Sequence, residues 1–520
     1  MPRQFTSHCV DLPARTPKLT NLVKSAAALE LPERPESGVR RIDHLPTVAD
    51  ATALDALLLI VPAGAAATAA LRHLPEAAQL QSLHAREPAT AGDCRAGALG
   101  NRRHTAIVLG YAGASASAFE RLQLAGRMLA KLAERRPARI GLYVAGAVRA
   151  RPDWYAALIS AARAHAFALP AFRSKPAPAW RLAELCAFDA PALPLARIEA
   201  TATATNRIRW LTALPPNVLD APAYRRLLQR LARSHRLQLR WYDERALERA
   251  GAGAFLAVAR GNGARTAGIA RLVYRGRRAA ARSDVALVGK GILFDTGGTN
   301  LKPHKSMLDM HTDMSGSAVA LATLLALAEL RAPLQAEAWL AITENNIGPH
   351  AYRPQEIVRA ANGTTIQVIH TDAEGRMVLA DTLALAARGK PRQIVDFATL
   401  TGAAVYALTE RYAAVLCNRP ALHEPLRAAG ASSGERVWPF PCDADFDSDI
   451  DSKVADVKQC AVEGAGDHIL AARFLGRFVP AGIPWVHVDL AAATRREGLA
   501  HVPTEVTGFG ARFALQWLLS

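Results

Sequence analysis

The sequence predicts an α/β protein. It reads as a small N-terminal α/β domain followed by a larger C-terminal α/β domain with a central mixed sheet flanked by helices. Three observations predict this. At 520 residues the chain is too long for one ordinary core. Short apolar runs alternate with helical patterns from about residue 50 onward. In the second half, charged residues gather at the ends of apolar runs, where open α/β sheets place their sites.

In chain order, Leu57 to Val61, Ala106 to Leu109 and Arg139 to Val144 read as short buried strands. The pattern from Ala118 to Leu132 reads as a helix between two of them. Together they predict a small, partly parallel sheet within residues 1–190. The stretch Phe172 to Trp180, with Pro176 and Pro178, and the polar run Ala200 to Asn206 mark a linker region, set at 191–210. The second domain, 211–520, carries expected strands at 285–289, 336–343, 393–398 and 484–490. An apolar helix is expected from Ser315 to Leu330 and another from near Met377.

Half of the residues are hydrophobic, as in an ordinary globular protein. Six scattered cysteines, Cys9, Cys94, Cys186, Cys417, Cys442 and Cys460, include no CxxC pair. That argues against a disulfide framework and a thiolate zinc site. Met1 to Phe5 shows no apolar signal core, and the apolar run Ala56 to Leu71 is broken by Pro62 and Gly64. A soluble chain in a reducing compartment, most simply the cytoplasm, is expected, with no membrane partner.

The net charge of +17 is unevenly spread. Residues 201–280 hold sixteen Lys and Arg against four Asp and Glu, whereas 281–520 hold twenty-two against twenty-six. A basic stripe can be a nucleic-acid footprint. Here Arg225, Arg226, Arg230 and Arg233 alternate with Leu227, Leu228, Leu231 and Ala232 at helical spacing, so a solvated helix face is the favoured reading over a nucleic-acid partner. The run Asp443 to Asp449 opens like a calcium loop, but Ser448 and Val454 stand where such a loop needs Gly and Glu.

The chemistry concentrates in two stretches. His370-Thr371-Asp372-Ala373-Glu374-Gly375-Arg376 follows the apolar run Ile366 to Ile369. It places two carboxylates and a guanidinium at the end of an expected buried strand, which is costly without a compensating partner. A divalent cation fits, because carboxylate oxygens are hard ligands. The plainer reading is a capping box between Thr371 and Glu374. The second stretch runs Val285 to Gly298 as a strand entering a glycine-rich turn, with Lys290 and Asp295 at or beyond its carboxyl end. Lys302 follows, then Asp313, which by itself could be a helix N-cap.

These stretches resemble the signature regions of the leucyl aminopeptidase family, the dinuclear-zinc cytosolic aminopeptidases. The matching residues are Val288 to Gly298 with Lys302-Pro303, Thr312 to Ala318, Asp372 to Leu383, and Ala398 to Ala403. Glu344-Asn345 and Ala351 to Pro354 also fit, and the likeness covers roughly 201–520. The resemblance implies a metal-dependent aminopeptidase that releases the N-terminal residue of short peptides. It implies two divalent ions per subunit, Zn²⁺ or Mn²⁺ with Mg²⁺ or Co²⁺ as alternatives. Asp295 and Glu374 would bridge, Lys290 and Asp313 would complete the tighter site, and Asp372 the more exchangeable one. Lys302 would stabilise the oxyanion, and Arg376 would hold a bicarbonate ion serving as general base. Met310, Thr399, Leu400, Gly402, Ala491 and Thr494 would line the substrate pocket. A homohexamer of two stacked trimers is implied. His370 replaces the usual Asn, Thr494 falls where some members have Met, and Glu463 to His468 departs from the usual glycine- and arginine-rich loop. The competing reading is a catalytically weak paralogue with a structural or DNA-binding role.

Overall fold

The structure, a computed structural model, describes residues 29–33, 37–175, 178–277 and 282–520. Met1 to Phe5, Cys9 and Pro176 lie outside the described residues. Among the described residues no helix is long and apolar enough to cross a membrane, and five cysteines are free thiols.

Six strands form the first sheet: β1 (Gly38–Ile42), β2 (Ala56–Pro62), β3 (Cys94–Ala98), β4 (Ala106–Ala112), β5 (Arg139–Val144) and β6 (Glu184–Phe188). Their order is β1-β6-β5-β2-β4-β3, parallel except for the edge strand β3. β2 and β4 are apolar throughout because helices cover both faces of a parallel sheet. The three expected strands are present, and the helix expected over Ala118 to Leu132 runs Ala118–Ala130.

The linker expected over 191–210 takes the form of a helix, Leu195–Thr212. Most of its small Ala and Thr side chains, polar-looking as a string, are buried. They allow close packing against helices Arg151–Ala166, Ser315–Glu329 and Ala511–Leu519. This helix therefore lies in the seam between the two halves. His165, Arg209, His501 and Arg512 share that seam.

The second sheet has eight strands. They are β7 (Gln238–Asp243), β8 (Gly268–Arg275), β9 (Val285–Asp295), β10 (Gln335–Asn345), β13 (Ile394–Ala398), β14 (Ala413–Cys417), β15 (Val437–Pro439) and β17 (Trp485–Asp489). A three-stranded sheet supplies the remaining labels: β11 (Ile357–Arg359), β12 (Thr365–Gln367) and β16 (Val457–Lys458). The large sheet runs β15-β14-β17-β13-β9-β10-β8-β7 and is mixed. Its centre, β17-β13-β9-β10, is parallel. Those four strands therefore end along one edge, at Asp489, Ala398, Asp295 and Asn345. One face packs on helices Leu195–Thr212, Ala221–Ser234, Ser315–Glu329 and Ala511–Leu519, the other on Gly253–Ala259, Glu374–Ala387 and Asp467–Gly476.

The 285–289 strand runs longer than expected, to Asp295, so Lys290 lies inside it. Gly289 and Gly291 are not turn residues. A Cβ on Gly289 would stand 2.5 Å from the Gly316 carbonyl oxygen, and one on Gly291 2.7 Å from that of Ala341. These glycines let the Ser315–Glu329 helix and a neighbouring strand approach β9 closely. The Ile366 to Ile369 run is a strand only through Gln367, and the next helix starts at Glu374 rather than near Met377. Helix Ala221–Ser234 buries its leucines, while Arg225, Arg226 and Arg233 are exposed and Arg230 is half-buried. In the Asp443 to Asp449 run, Asp447 is paired with Arg473 at 2.7 Å.

Candidate active site

The charged cluster forms where the parallel strands end. β9 contributes Lys290 and Asp295, the turn before the Ser315–Glu329 helix contributes Asp313, and the first turn of the Glu374–Ala387 helix contributes Glu374. Asp372 lies two residues earlier, on the loop leaving β12, and Lys302 on the loop after Asp295. All are buried or half-buried. The plainer readings do not hold. Helix Glu374–Ala387 has no side-chain N-cap, and Thr371 instead donates to the Gly297 carbonyl at 2.6 Å. Asp313 does not cap its helix either, because its Oδ1 accepts from Thr399 Oγ1 at 2.7 Å.

Two lysines thread the carboxylates together. Lys290 Nζ lies 2.8 Å from Asp313 Oδ1 and 2.9 Å from Glu374 Oε1, and donates to the Thr399 carbonyl at 2.9 Å. Lys302 Nζ lies 2.9 Å from Asp295 Oδ2 and also pairs with Asp372. Burial works against both ammonium charges, but the carboxylates outweigh it and raise both lysine pKa values. Burial and mutual repulsion raise those of Asp313, Asp372 and Glu374. Gly375 makes room for this arrangement: a Cβ there would stand 2.7 Å from Lys290 Nζ.

This donor set fits divalent metal. Ligand oxygens of Asp295, Asp372 and Glu374 lie within 4.8 Å of one another. Among the described residues, Glu374 Oε2 and Asp313 Oδ2 are buried with no hydrogen-bond partner. Buried carboxylate oxygens without a donor are costly unless a cation meets them. Four carboxylates against two ammonium groups leave the cluster short of positive charge.

Supporting residues fix the loops. Asn345 Nδ2 donates to Asp295 Oδ1 at 2.8 Å and to the Thr371 carbonyl at 3.1 Å. Tyr352 donates its hydroxyl to the same carbonyl at 2.8 Å. Gln459, just past β16, accepts from the Ile369 and His370 amides at 3.1 Å and donates to the Ala373 carbonyl at 2.9 Å. Asp489 accepts from the Leu400 amide at 3.1 Å and the Thr401 hydroxyl at 2.6 Å, anchoring the 399–402 segment.

Arg376 is sealed behind this loop. Its Nη2 donates to Asp467 Oδ2 at 2.7 Å and its Nη1 to the Gln459 carbonyl at 3.3 Å. Burial opposes its charge, and the Asp467 carboxylate more than restores it.

Of the residues expected in the pocket, Thr399 touches Asp313 and Lys290 directly, and Leu400 lies against Gly375. Met310, Gly402, Ala491 and Thr494 make no side-chain hydrogen bond to the charged cluster among the described residues. Thr494 instead bridges to Val506. Sequence reasoning assigned no role to Asn345, Tyr352, Gln459 or Asp467. Only the departure of 463–468 from the family loop pointed toward Asp467.

Comparison with known proteins agrees with this geometry. The cytosol aminopeptidase family, catalytic domain, matches residues 206–515. A probable cytosol aminopeptidase of Parasynechococcus marenigrum is 36% identical over 79% of this chain and 85% of its own length. One from Syntrophotalea carbinolica is 42% identical over 60% of this chain and 62% of its own. Among solved structures, the bottromycin maturation enzyme BotP in complex with Mn is 31% identical with a TM-score of 0.78, covering 89% of this chain and 98% of that one. The apo leucyl aminopeptidase of Trypanosoma cruzi is 25% identical with a TM-score of 0.79, covering 92% and 96%. The match over most of the larger half, with a relative alike along most of its length, places this chain as a peptidase: it belongs to the cytosol aminopeptidase family.

Proposed function

We propose that the chain is a metal-dependent aminopeptidase, with 211–520 as its catalytic domain, that releases the N-terminal residue of short peptides. The observation that carries this reading is the buried cluster of four carboxylates laced by two lysines, with carboxylate oxygens that meet no donor. Asp295 and Glu374 would bridge two ions, Zn²⁺ or Mn²⁺, with Lys290 and Asp313 on one and Asp372 on the other. When bound, the ions supply Lewis-acid polarisation of the scissile carbonyl and water of lowered pKa. Lys290 would ligate as the neutral amine, surrendering its proton on loading. Lys302 holds its positive charge where the carbonyl oxygen gains negative charge. Thr399 and Leu400 lie beside the cluster to receive the substrate, with Met310, Gly402, Ala491 and Thr494 shaping the side-chain pocket. Arg376 pairs with Asp467 through Nη2, while its Nε is buried without a partner, so bicarbonate held on Arg376 as general base stays part of this reading.

A closed homohexamer in the cytoplasm is part of this reading, since closed point groups are the usual outcome for soluble oligomers. The test is a panel of aminoacyl amides and N-blocked analogues assayed with Zn²⁺, Mn²⁺, Mg²⁺ and Co²⁺ after chelation. Metal-restored cleavage of free-amine substrates only is the expected result. No turnover with any metal would favour the weak paralogue.

A further inference from the structure

We propose that the chain carries a second binding site, for a nucleoside polyphosphate, at the edge of the large sheet opposite the charged cluster. β9, β13 and β17 end near the cluster. They begin at this other edge, where the loops entering them wall a cavity of about 860 Å³. Helix Glu374–Ala387 spans the distance: its first turn holds Glu374, and Ala384 and Ala387 in its last turn line the cavity. Fourteen helical residues, at about 1.5 Å each, set the two places about 20 Å apart.

The cavity has two unlike walls. One is cationic, formed by Arg282, Arg388, Lys390, Arg392, Arg419 and Arg477, and no Asp or Glu lines it. Exposed arginines are ordinary singly, but six cations around one hollow focus a positive potential into it. Of the six, only Arg392 and Arg477 meet a carboxylate among the described residues, Asp284 at 3.2 Å and Asp447 at 3.7 Å. Asp447 is already held by two nitrogens of Arg473, each at 2.7 Å, and Arg477 Nε is buried with no hydrogen-bond partner. Arg388 is set in place by donating to the Ala361 carbonyl at 2.9 Å. The other wall is apolar: Val479, Pro480, Ile483 and Pro484.

This pair of walls selects the ligand. A bare oxyanion would use only the cations, and an apolar molecule only the loop. A nucleoside polyphosphate uses both. Its phosphate oxygens take forked guanidinium hydrogen bonds, and its base and sugar lie on the apolar loop. The volume suits a small molecule. A nucleic-acid strand would need free cations running on beyond the hollow. Across Arg388 the next arginines are already engaged: Arg271 is held by Glu337 at 2.7 and 2.8 Å, and Arg240 lies over the Tyr242 ring.

The test is fluorescence anisotropy of ribose-labelled ATP on the metal-loaded full chain, with excess Mg²⁺, at about 0.15 M salt. Unlabelled ATP should displace the probe at least about tenfold better than tripolyphosphate, the contribution of burying one apolar group. Adenosine should not displace it at the same concentrations. The double variant Lys390→Glu with Arg419→Glu, both exposed positions, should weaken the probe at least about tenfold, and Arg477→Gln should weaken it as well. Arg225→Glu with Arg226→Glu makes the same charge change on an exposed helix face elsewhere and should leave binding unchanged. Glu374→Ala should also bind normally, because the site does not use the metal centre. Thermal melts check that each variant is folded. The proposal is overturned by no saturable binding below about 1 mM, by equal displacement with ATP and tripolyphosphate, or by equal weakening in the Arg225 and Arg226 variant. Loss of binding in folded Glu374→Ala would place the phosphates on the metal centre instead. A single-stranded oligonucleotide that displaces the probe more tightly than ATP would make the hollow part of a strand-binding surface, and the proposal would fall.

Discussion

At the level of single residues, the cluster divides into groups whose loss should read out differently. Glu374→Ala removes the carboxylate buried deepest between the lysines. Activity should fall by orders of magnitude, with metal content below that of wild type by elemental analysis. Normal metal content with normal turnover would sink the dinuclear reading. Lys302→Ala should lower kcat by about 10²–10³-fold with a smaller change in KM, as for loss of an oxyanion partner. A raised KM at constant kcat would instead make Lys302 a binding residue. Asn345 is not itself a proposed ligand, yet Asn345→Ala removes one donor from Asp295 Oδ1 and one from the Thr371 carbonyl together. Metal affinity should weaken about 10–100-fold, the usual worth of a residue that orients a ligand, measured by competition with a chromophoric chelator. The acidic and basic residues of the cluster were legible in the sequence because their types and spacing are unusual. Gln459 and Asp467 were not, because each meets its partner some ninety positions away and nothing local marks the contact.

Among the secondary-structure elements, the site depends on how closely the Ser315–Glu329 helix approaches the sheet. A Cβ on Gly316 would stand 2.0 Å from the Phe397 carbonyl oxygen and 2.9 Å from the Lys290 amide nitrogen. Both are strand backbone, which cannot swing aside. Gly316→Ala should therefore destabilise the fold by about 3 kcal/mol, at the upper end of overpacking costs, read as a lowered denaturant midpoint at constant slope. The strands themselves were readable, since β2, β4, β9, β10, β13 and β17 are near-continuous apolar runs. Their ends were less so. Glycines at 289 and 291 look like turn signals in a string, yet here they serve close packing inside a strand. The helix Leu195–Thr212 was missed for a related reason. Ala and Thr carry little hydrophobic pattern, so a buried helix built from them reads as polar linker.

For the molecule as a whole, the seam between its two halves carries an acid sensitivity. Burial first, and Arg209 second, push the His165 pKa down to about 4. His501 is held well below its ordinary value by burial, then by Arg512, Arg209 and His165. The unfolded chain binds a proton at these sites near pH 6.5, and the folded chain does so only at lower pH. Between these limits the unfolded state holds more protons, so stability falls as pH drops from about 6.5 toward 4. His165 alone accounts for about 1–3 kcal/mol of that loss. Thermal melts across this range should show the decline, and His165→Gln should flatten it. An unchanged slope in that variant would assign the sensitivity elsewhere.

The two lysines also change what it means for this protein to lose its metal. Small metal-stapled domains unfold when stripped, because metal binding supplies most of their folding free energy. Here Lys290 and Lys302 act as resident counterions already seated among the carboxylates. The stripped chain is thus a standing reserve rather than a casualty. On the metallopeptidase reading it should stay folded through metal scarcity and resume work on resupply without new synthesis. Chelation should then abolish turnover while leaving the circular dichroism spectrum intact, and added metal should recover activity within the mixing time of ion exchange rather than that of refolding.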